Sequence, residues 1–326
     1  MESITVRDLE RRFGDNQAVR GIDFSVLEGE VFAFLGPNGA GKTTTISILC
    51  TLLSPTSGTA LVAGHDVVAD RPAVRRSIGV VFQDSTLDEQ LTADQNLRFH
   101  AMAYGVPRDV AARRTDELLD LMDLRGRRGD RVRTFSGGMK RRLEIARGLL
   151  HRPRVLFLDE PTIGLDPQTR RRIWAHVHDL REREGVTIFF TTHYMDEAEN
   201  SDRIAIIDHG RIVALDSPDT LRDSVGGDVV SLSTEDDEAA AAALRDQWDV
   251  DPARENGEIT FQVSRGAEFL PGFVRTFPLR IDSIAVRRPT LDDVFVSLTG
   301  RSMRDEVGGG DDLRRWKRSR RTGANR

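Results

Sequence analysis

Two stretches of the chain are apolar at every position. Val31-Phe32-Ala33-Phe34-Leu35 and Val155-Leu156-Phe157-Leu158 are strand-sized and have no polar face. Such runs suit strands buried on both sides, as in a sheet covered by helices. From residue 1 to about 220, strand-like runs alternate with polar, helix-like stretches, which predicts an α/β unit on a largely parallel sheet. Ile78 to Phe82 and Thr187 to Phe190 read as further strands, and Thr44 to Leu53 reads as a helix. Met139, Leu143, Ala146 and Leu150 fall on one helical face. Asp216-Ser217-Pro218-Asp219 predicts a turn into a short helix, and Gly226-Gly227 a hinge. Beyond it the elements shorten. Val229 to Leu232, Ile259 to Val263 and Ile281 to Val286 read as strands, 235–247 as a helix, and Thr290 to Leu298 as a closing helix capped by Thr290. No internal repeat is visible. The expected organisation is an α/β unit over 1–220, a small α/β domain over 221–300 and a tail over 301–326.

Composition narrows the classes. The 326 residues are 39% hydrophobic and 30% charged, a balance expected of a water-soluble, core-forming chain, and the net charge is -5. That argues against a basic nucleic-acid binder, and no nucleic-acid partner is expected. The tail has nine Lys/Arg against four Asp/Glu and is expected to be disordered. Its basic cluster Arg314-Arg315-Trp316-Lys317-Arg318 could touch anionic lipid, though a solvated tail is the simpler expectation. A single cysteine, Cys50, excludes a disulfide framework and is expected to be buried packing. The first residues, Met1 to Asp8, have no apolar core like that of a secretory signal. No apolar run approaches the ~18 residues of a membrane helix, so a membrane role is expected to come through a partner. Basic residues are nearly all arginine; lysine stands only at 42, 140 and 317.

One of those lysines sits in a phosphate-binding pattern. Gly36-Pro37-Asn38-Gly39-Ala40-Gly41-Lys42-Thr43 fits G-x-x-x-x-G-K-[ST], between an apolar run and a helical stretch that begins at Thr44. Its glycines let backbone N–H groups wrap a polyphosphate, and the helix N-terminus adds positive dipole. Lys42 is expected to reach the β- and γ-phosphates, and Thr43 to give its hydroxyl to Mg²⁺. A second apolar run ends in Asp159-Glu160-Pro161. Carboxylates at the C-terminal end of a strand lie where open α/β sheets bind ligands. Asp159 is expected to hold Mg²⁺ through water, and Glu160 to polarise the attacking water as general base.

Phosphate loops serve kinases, GTPases and transport ATPases alike. Phe135-Ser136-Gly137-Gly138-Met139 separates them, because it opens an amphipathic helix with Ser136 as N-cap and unshielded first-turn amides. That is a second anion site in a chain with one phosphate loop. The economical reading is that it serves a nucleotide held by another copy.

The run from Ser136-Gly137-Gly138-Met139-Lys140-Arg141 through Leu143 to Leu149, then Asp159-Glu160-Pro161-Thr162 and Gly164-Leu165-Asp166-Pro167, resembles the ATP-binding cassette family over residues 3 to 215. The resemblance implies a P-loop NTPase cassette with a helical signature subdomain, ATP and Mg²⁺ as ligands, and two copies packed head to tail. Each ATP would then lie between one copy's phosphate loop and the other's Ser136, Gly137, Gly138 and Met139. It further implies that Gln83 touches Mg²⁺ and senses a membrane partner, that His193 contacts the γ-phosphate, that Asp166 communicates across the dimer, and that Phe13 stacks on adenine. Phe135 and Met139 replace the family's usual leucine and glutamine, and Phe13 the commoner tyrosine. Arg288-Pro289-Thr290-Leu291-Asp292-Asp293-Val294-Phe295-Val296-Ser297-Leu298-Thr299-Gly300 is similar to a closing motif of the daunorubicin-resistance-type subfamily. This implies an accessory domain, export, and an integral membrane permease that holds the subunit at the cytoplasmic face of the membrane. The helical stretch 84–105 would pass motion to that permease. Leu291, Val294, Phe295 and Leu298 also form an apolar stripe that could pack within their own domain. The rival readings are a soluble cassette ATPase of translation or DNA repair, and a monomeric P-loop kinase or GTPase. His176 and His178 are two apart and make a poor metal pair on a helix. The acidic run 235–238 reads as a helix start.

Overall fold

The computed structural model describes residues 1–255 and 258–301, which divide into two compact units, Met1–Asp216 and a second beginning at Ser217. The expected tail lies outside the described residues from 302 onward.

In chain order the first unit contains β1 (Glu2–Phe13), β2 (Asn16–Leu27), β3 (Val31–Leu35), α1 (Lys42–Leu49), β4 (Ser57–Val62), β5 (His65–Asp66), α2 (Arg71–Ser77) and β6 (Ile78–Val81). Then follow α3 (Ala93–Ala103), α4 (Arg108–Leu121), α5 (Gly137–Leu149), β7 (Val155–Asp159), α6 (Pro167–Glu184), β8 (Thr187–Thr192), α7 (Met195–Ala198), β9 (Arg203–Asp208) and β10 (Arg211–Asp216). Six strands form a sheet in the order β10-β9-β3-β8-β7-β6, parallel except for β10. Every residue of β3, β7 and β8 is buried, including Asp159 at the end of β7 and the three threonines of β8, as expected of central strands covered on both faces. Because these strands run the same way, Leu35, Val81, Asp159 and Thr192 end at one edge of the sheet, the edge where parallel sheets bind ligands.

A second, antiparallel sheet of order β2-β1-β4-β5 faces it. The two meet through aromatic rings: Phe24 of β2 lies 5.6 Å from Phe32, 5.6 Å from Phe34 and 6.0 Å from Phe189. Each such buried ring contributes roughly 1.5–3 kcal/mol. Periodicity does not announce this sheet. Register shifts on both sides of β1, with Asp8 at φ 45°, break the period of two.

Helix boundaries follow local chemistry. α1 starts two residues before the expected Thr44, because Gly41 at φ 111° turns the chain directly into it, and it stops before Thr51 at φ 63°. α3 begins only at Ala93, where Thr92 and Gln95 form a reciprocal cap, so most of 84–92 is irregular rather than helical. Asp166 caps α6, Pro167 opens it and Gly185 at φ 62° closes it. α5 lies against β6 with almost no spacing: a Cβ on Gly79 would stand 2.2 Å from the Gly148 carbonyl oxygen.

The second unit holds α8 (Pro218–Asp223), β11 (Asp228–Thr234), α9 (Asp237–Trp248), β12 (Ala253–Glu255), β13 (Glu258–Val263), α10 (Gly266–Thr276), β14 (Ile281–Arg287) and α11 (Leu291–Thr299). Its sheet, β12-β13-β11-β14, is antiparallel in every described pair. Val230, Leu232, Ile259 and Phe261 pack with Leu244 of α9 and Phe273 of α10. Within the acidic run, Asp236 accepts from the N–H groups of Glu238 and Ala239 and so caps α9. Of the apolar stripe on α11, Leu291, Val294 and Phe295 are buried, whereas Leu298 remains 44% exposed.

Candidate active site

The phosphate loop is built where only glycine fits. A Cβ on Gly36 would meet the Ile207 carbonyl oxygen at 2.3 Å, and one on Gly41 the Ala18 carbonyl oxygen at 2.6 Å. Gly39 turns at φ 82°. The loop is anchored by Gly36 N–H donating to Thr192 O (3.2 Å) and Gly210 N–H donating to Ala40 O (2.9 Å). Pro37 and Ala40 are buried, while Asn38 and Gly39 are exposed at its tip. Thr43 and Thr44 open α1 beside it.

Lys42 is 4% exposed, and its Nζ crosses back over the loop. It donates to Gly36 O at 2.7 Å and Pro37 O at 3.0 Å, and lies 3.4 Å from Glu160 Oε1. Burial lowers the ammonium pKa, and Glu160 opposes that shift. The other Glu160 oxygen, Oε2, stands 3.3 Å from His193 Nδ1. Burial alone would raise the Glu160 carboxyl; His193 and Lys42 together outweigh it and hold the group below its ordinary value, ionised.

Glu160 also has a left-handed backbone, φ 44°, a conformation that costs a side-chain-bearing residue about 1–3 kcal/mol. Thr191 fixes it. The Thr191 hydroxyl accepts from Glu160 N–H at 3.0 Å and donates to Asp159 Oδ1 at 2.5 Å. Asp159 is buried, which raises its pKa against the pull of Thr191, Lys42 and Thr43. The structure therefore brings Lys42, Thr43, Asp159, Glu160 and His193 into one cluster. Behind it Glu197 is 2% exposed; it accepts from the Thr162 hydroxyl and, at 2.8 Å, from the Thr192 hydroxyl. Burial pushes its carboxyl up to about 7.

Other predicted residues stand outside that cluster. Gln83 is exposed, just beyond β6. Ser136 caps α5 by accepting from Met139 N–H at 3.3 Å, and Gly137 is exposed beside it. Gly138 is buried, because a Cβ there would meet Thr169 Cγ2 at 2.5 Å. Phe135 is 6% exposed, so a phenylalanine serves as the apolar anchor in front of Ser136. Both Asp166 oxygens accept from Thr169, at 2.9 and 2.6 Å, within the α6 cap. Phe13 is 46% exposed, with the Arg11 guanidinium 4.5 Å from its ring centroid. Sequence reasoning does not single out Thr191 and Glu197; the signal for Thr191 is a pair of threonines that follows the apolar Ile188-Phe189-Phe190 and stands immediately before His193.

Comparison with known proteins identifies the family. Residues 19–163 match the model of the ABC transporter family. The chain is 41% identical over 304 residues to the daunorubicin resistance ATP-binding protein DrrA3 of Streptomyces coeruleorubidus, covering 91% of this chain and 96% of that one. It is 36% identical over 312 residues to the linearmycin resistance ATP-binding protein LnrL of Bacillus subtilis, covering 93% and 100%. Among solved structures it resembles the dimeric post-hydrolysis state of the ATP-binding cassette MJ0796 bound to ADP and Pi, with a TM-score of 0.59, 26% identity, and 66% and 98% of the two chains covered. The chain belongs to the ABC transporter family and carries that family's ATP-binding, ATP-hydrolysing cassette.

Proposed function

We propose that this cassette drives efflux of a drug, antibiotic or lipid-like substrate through a separately encoded membrane permease. The observation that carries the catalytic part is Glu160, ionised between Lys42 and His193 at the sheet edge that bears the phosphate loop. ATP would lie on Gly36–Thr44 with its adenine against Phe13. Its phosphates would draw Lys42 Nζ from the loop carbonyls that it now contacts. Thr43 and Asp159, with Gln83, would hold Mg²⁺: the donor set is hard oxygen, and a cation would relieve the burial that raises Asp159. Bound there, Mg²⁺ would neutralise phosphate charge. Glu160 would orient and deprotonate the attacking water, and His193 would contact the γ-phosphate.

Ser136, Gly137, Gly138 and Met139 would complete the site on a second copy, head to tail, with Asp166 communicating across the dimer. The dimer of the similar cassette bound to ADP and Pi supports this reading. Among the described residues no helix is long and apolar enough to cross a membrane, so the permease would hold the chain at the cytoplasmic face. α3, close after Gln83, presents Phe99 and Met102 at 64% and 70% exposure, an apolar pair suited to a permease contact. Export is supported by the resistance-associated relatives, whose similarity runs over 91% and 93% of this chain. The domain over 221–300 would be an accessory to the cassette. Affinity capture of the Glu160→Gln protein from gently solubilised membranes with ATP, followed by mass spectrometry, tests the proposal. A co-purifying polytopic membrane protein is expected. Recovery only from the soluble fraction with ribosomal or DNA-repair proteins would contradict export.

A further inference from the structure

Arg141 lies one turn into α5, beyond the glycines, and is buried to 6% exposure. A guanidinium has five N–H donors in a planar fork, and here five acceptors meet it. Nε donates to Pro161 O at 2.6 Å; Nη2 donates to Asp159 O at 2.9 Å and Glu160 O at 3.1 Å. Nη1 donates to Phe82 O and to Glu144 Oε2, the latter at 3.2 Å. With no donor to spare, the side chain is unsuited to binding a ligand. What it grips is specific: three successive carbonyls around Glu160, and the carbonyl of the residue before Gln83.

Its neighbours extend the grip. Glu144 accepts from Thr86 N–H at 2.9 Å through its other oxygen. Arg147 donates to Thr86 O at 2.8 Å and to the Thr86 hydroxyl. Successive turns of α5 thus hold the segment 82–86, while Arg141 alone also holds the end of β7. Glu160 adopts φ 44° where this grip is applied, and Thr191 secures its N–H from the other side.

We propose that Arg141 is a positioning residue for hydrolysis, fixing the Glu160 carboxylate and Gln83 relative to the helix that begins at Ser136. Movement of that helix on meeting a nucleotide would then be transmitted to the general base and to the glutamine through one side chain. The inference rests on Glu160 acting as the base. Lysine at 141 keeps the charge but has one nitrogen, which cannot span carbonyls from residues 82 to 161.

Steady-state ATPase kinetics of the full chain, with fluorescent-ATP binding as a folding check, test it. Arg141→Lys should lower kcat by about tenfold or more with KM within about twofold, because misplaced catalytic groups cost turnover rather than ground-state binding. A kcat within twofold of wild type, or, in a variant that still binds ATP, a loss of affinity equal to the loss of kcat, would overturn the proposal. Should Arg141→Lys fail to bind nucleotide, Glu144→Gln decides. It keeps one acceptor oxygen and removes the ion pair, so kcat should fall about threefold at unchanged KM; unchanged kcat would overturn the proposal. Glu160→Gln assayed in parallel separates the two claims: wild-type turnover in that variant rejects the base, whatever Arg141→Lys does.

Discussion

At the scale of single residues the site is a problem of burying charge. Lys42, Asp159, Glu160 and Glu197 are each less than a tenth exposed. Three of them neutralise one another or meet Thr191, which leaves Glu197 with two hydroxyl partners and, among the described residues, no cation within ion-pair distance. Its raised carboxyl has a consequence for stability. The folded state holds the Glu197 proton up to about pH 7, whereas the unfolded chain releases it near 4.5. The group's stabilising contribution is therefore complete below 4.5 and is lost as pH rises to about 7. Glu197→Gln should flatten that dependence and leave the protein more stable than wild type at pH 8, by about 1–3 kcal/mol. Urea unfolding at pH 5 and pH 8 measures it; an unchanged slope between the two would show that Glu197 stays ionised when folded. Glu197 was not legible in the sequence, because a glutamate in Met195-Asp196-Glu197-Ala198 reads as a solvated helix turn until the tertiary fold buries it. Lys42, Asp159, Glu160 and His193 were legible, because each stands next to a motif or strand end that fixes its place.

At the scale of elements, the parallel sheet makes the site by ending β3, β7 and β8 at one edge. The unbroken apolar runs of β3 and of β7 up to Leu158 made those two strands readable, and the β-branched and aromatic run of β8 made the third. The hairpin of β1 and β2 was less so, since its bulges at Asp8 disrupt alternation. α5 is the element on which most depends, and its seat on β6 is glycine against glycine. Gly79→Ala would drive a Cβ into the Gly148 carbonyl at 2.2 Å, so the helix must shift. The expected cost is about 1–3 kcal/mol, from overpacking. Gly126 has open space around it and no left-handed backbone, so Gly126→Ala should change stability by less than about 0.5 kcal/mol. Equal midpoints for the two variants in denaturant unfolding would contradict the close-seat account. Arg141 stands within a motif, yet nothing in a linear pattern says that its donors reach residues 82 and 159–161.

At the scale of the whole molecule, one nucleotide cradle and one helix N-terminus with exposed amides are presented by a single chain. Ser136 and Gly137 are exposed. In the proposed mechanism two copies would satisfy both, and hydrolysis by Glu160 would then reset the pair. The second unit is a sheet with a core of its own, and three of its four described strands were readable in the sequence, whereas the three-residue β12 and the helix α10 were not; what the unit contacts in an assembled transporter is not written in that pattern, because partner surfaces carry no period.

The most direct test of this account compares wild type with Glu160→Gln by light scattering after size exclusion, with and without Mg-ATP, alongside phosphate release. The account predicts that the variant loses steady hydrolysis by about 100-fold or more and becomes dimeric only when ATP is present. A variant that hydrolyses ATP at the wild-type rate, or that stays monomeric with saturating ATP, would contradict it.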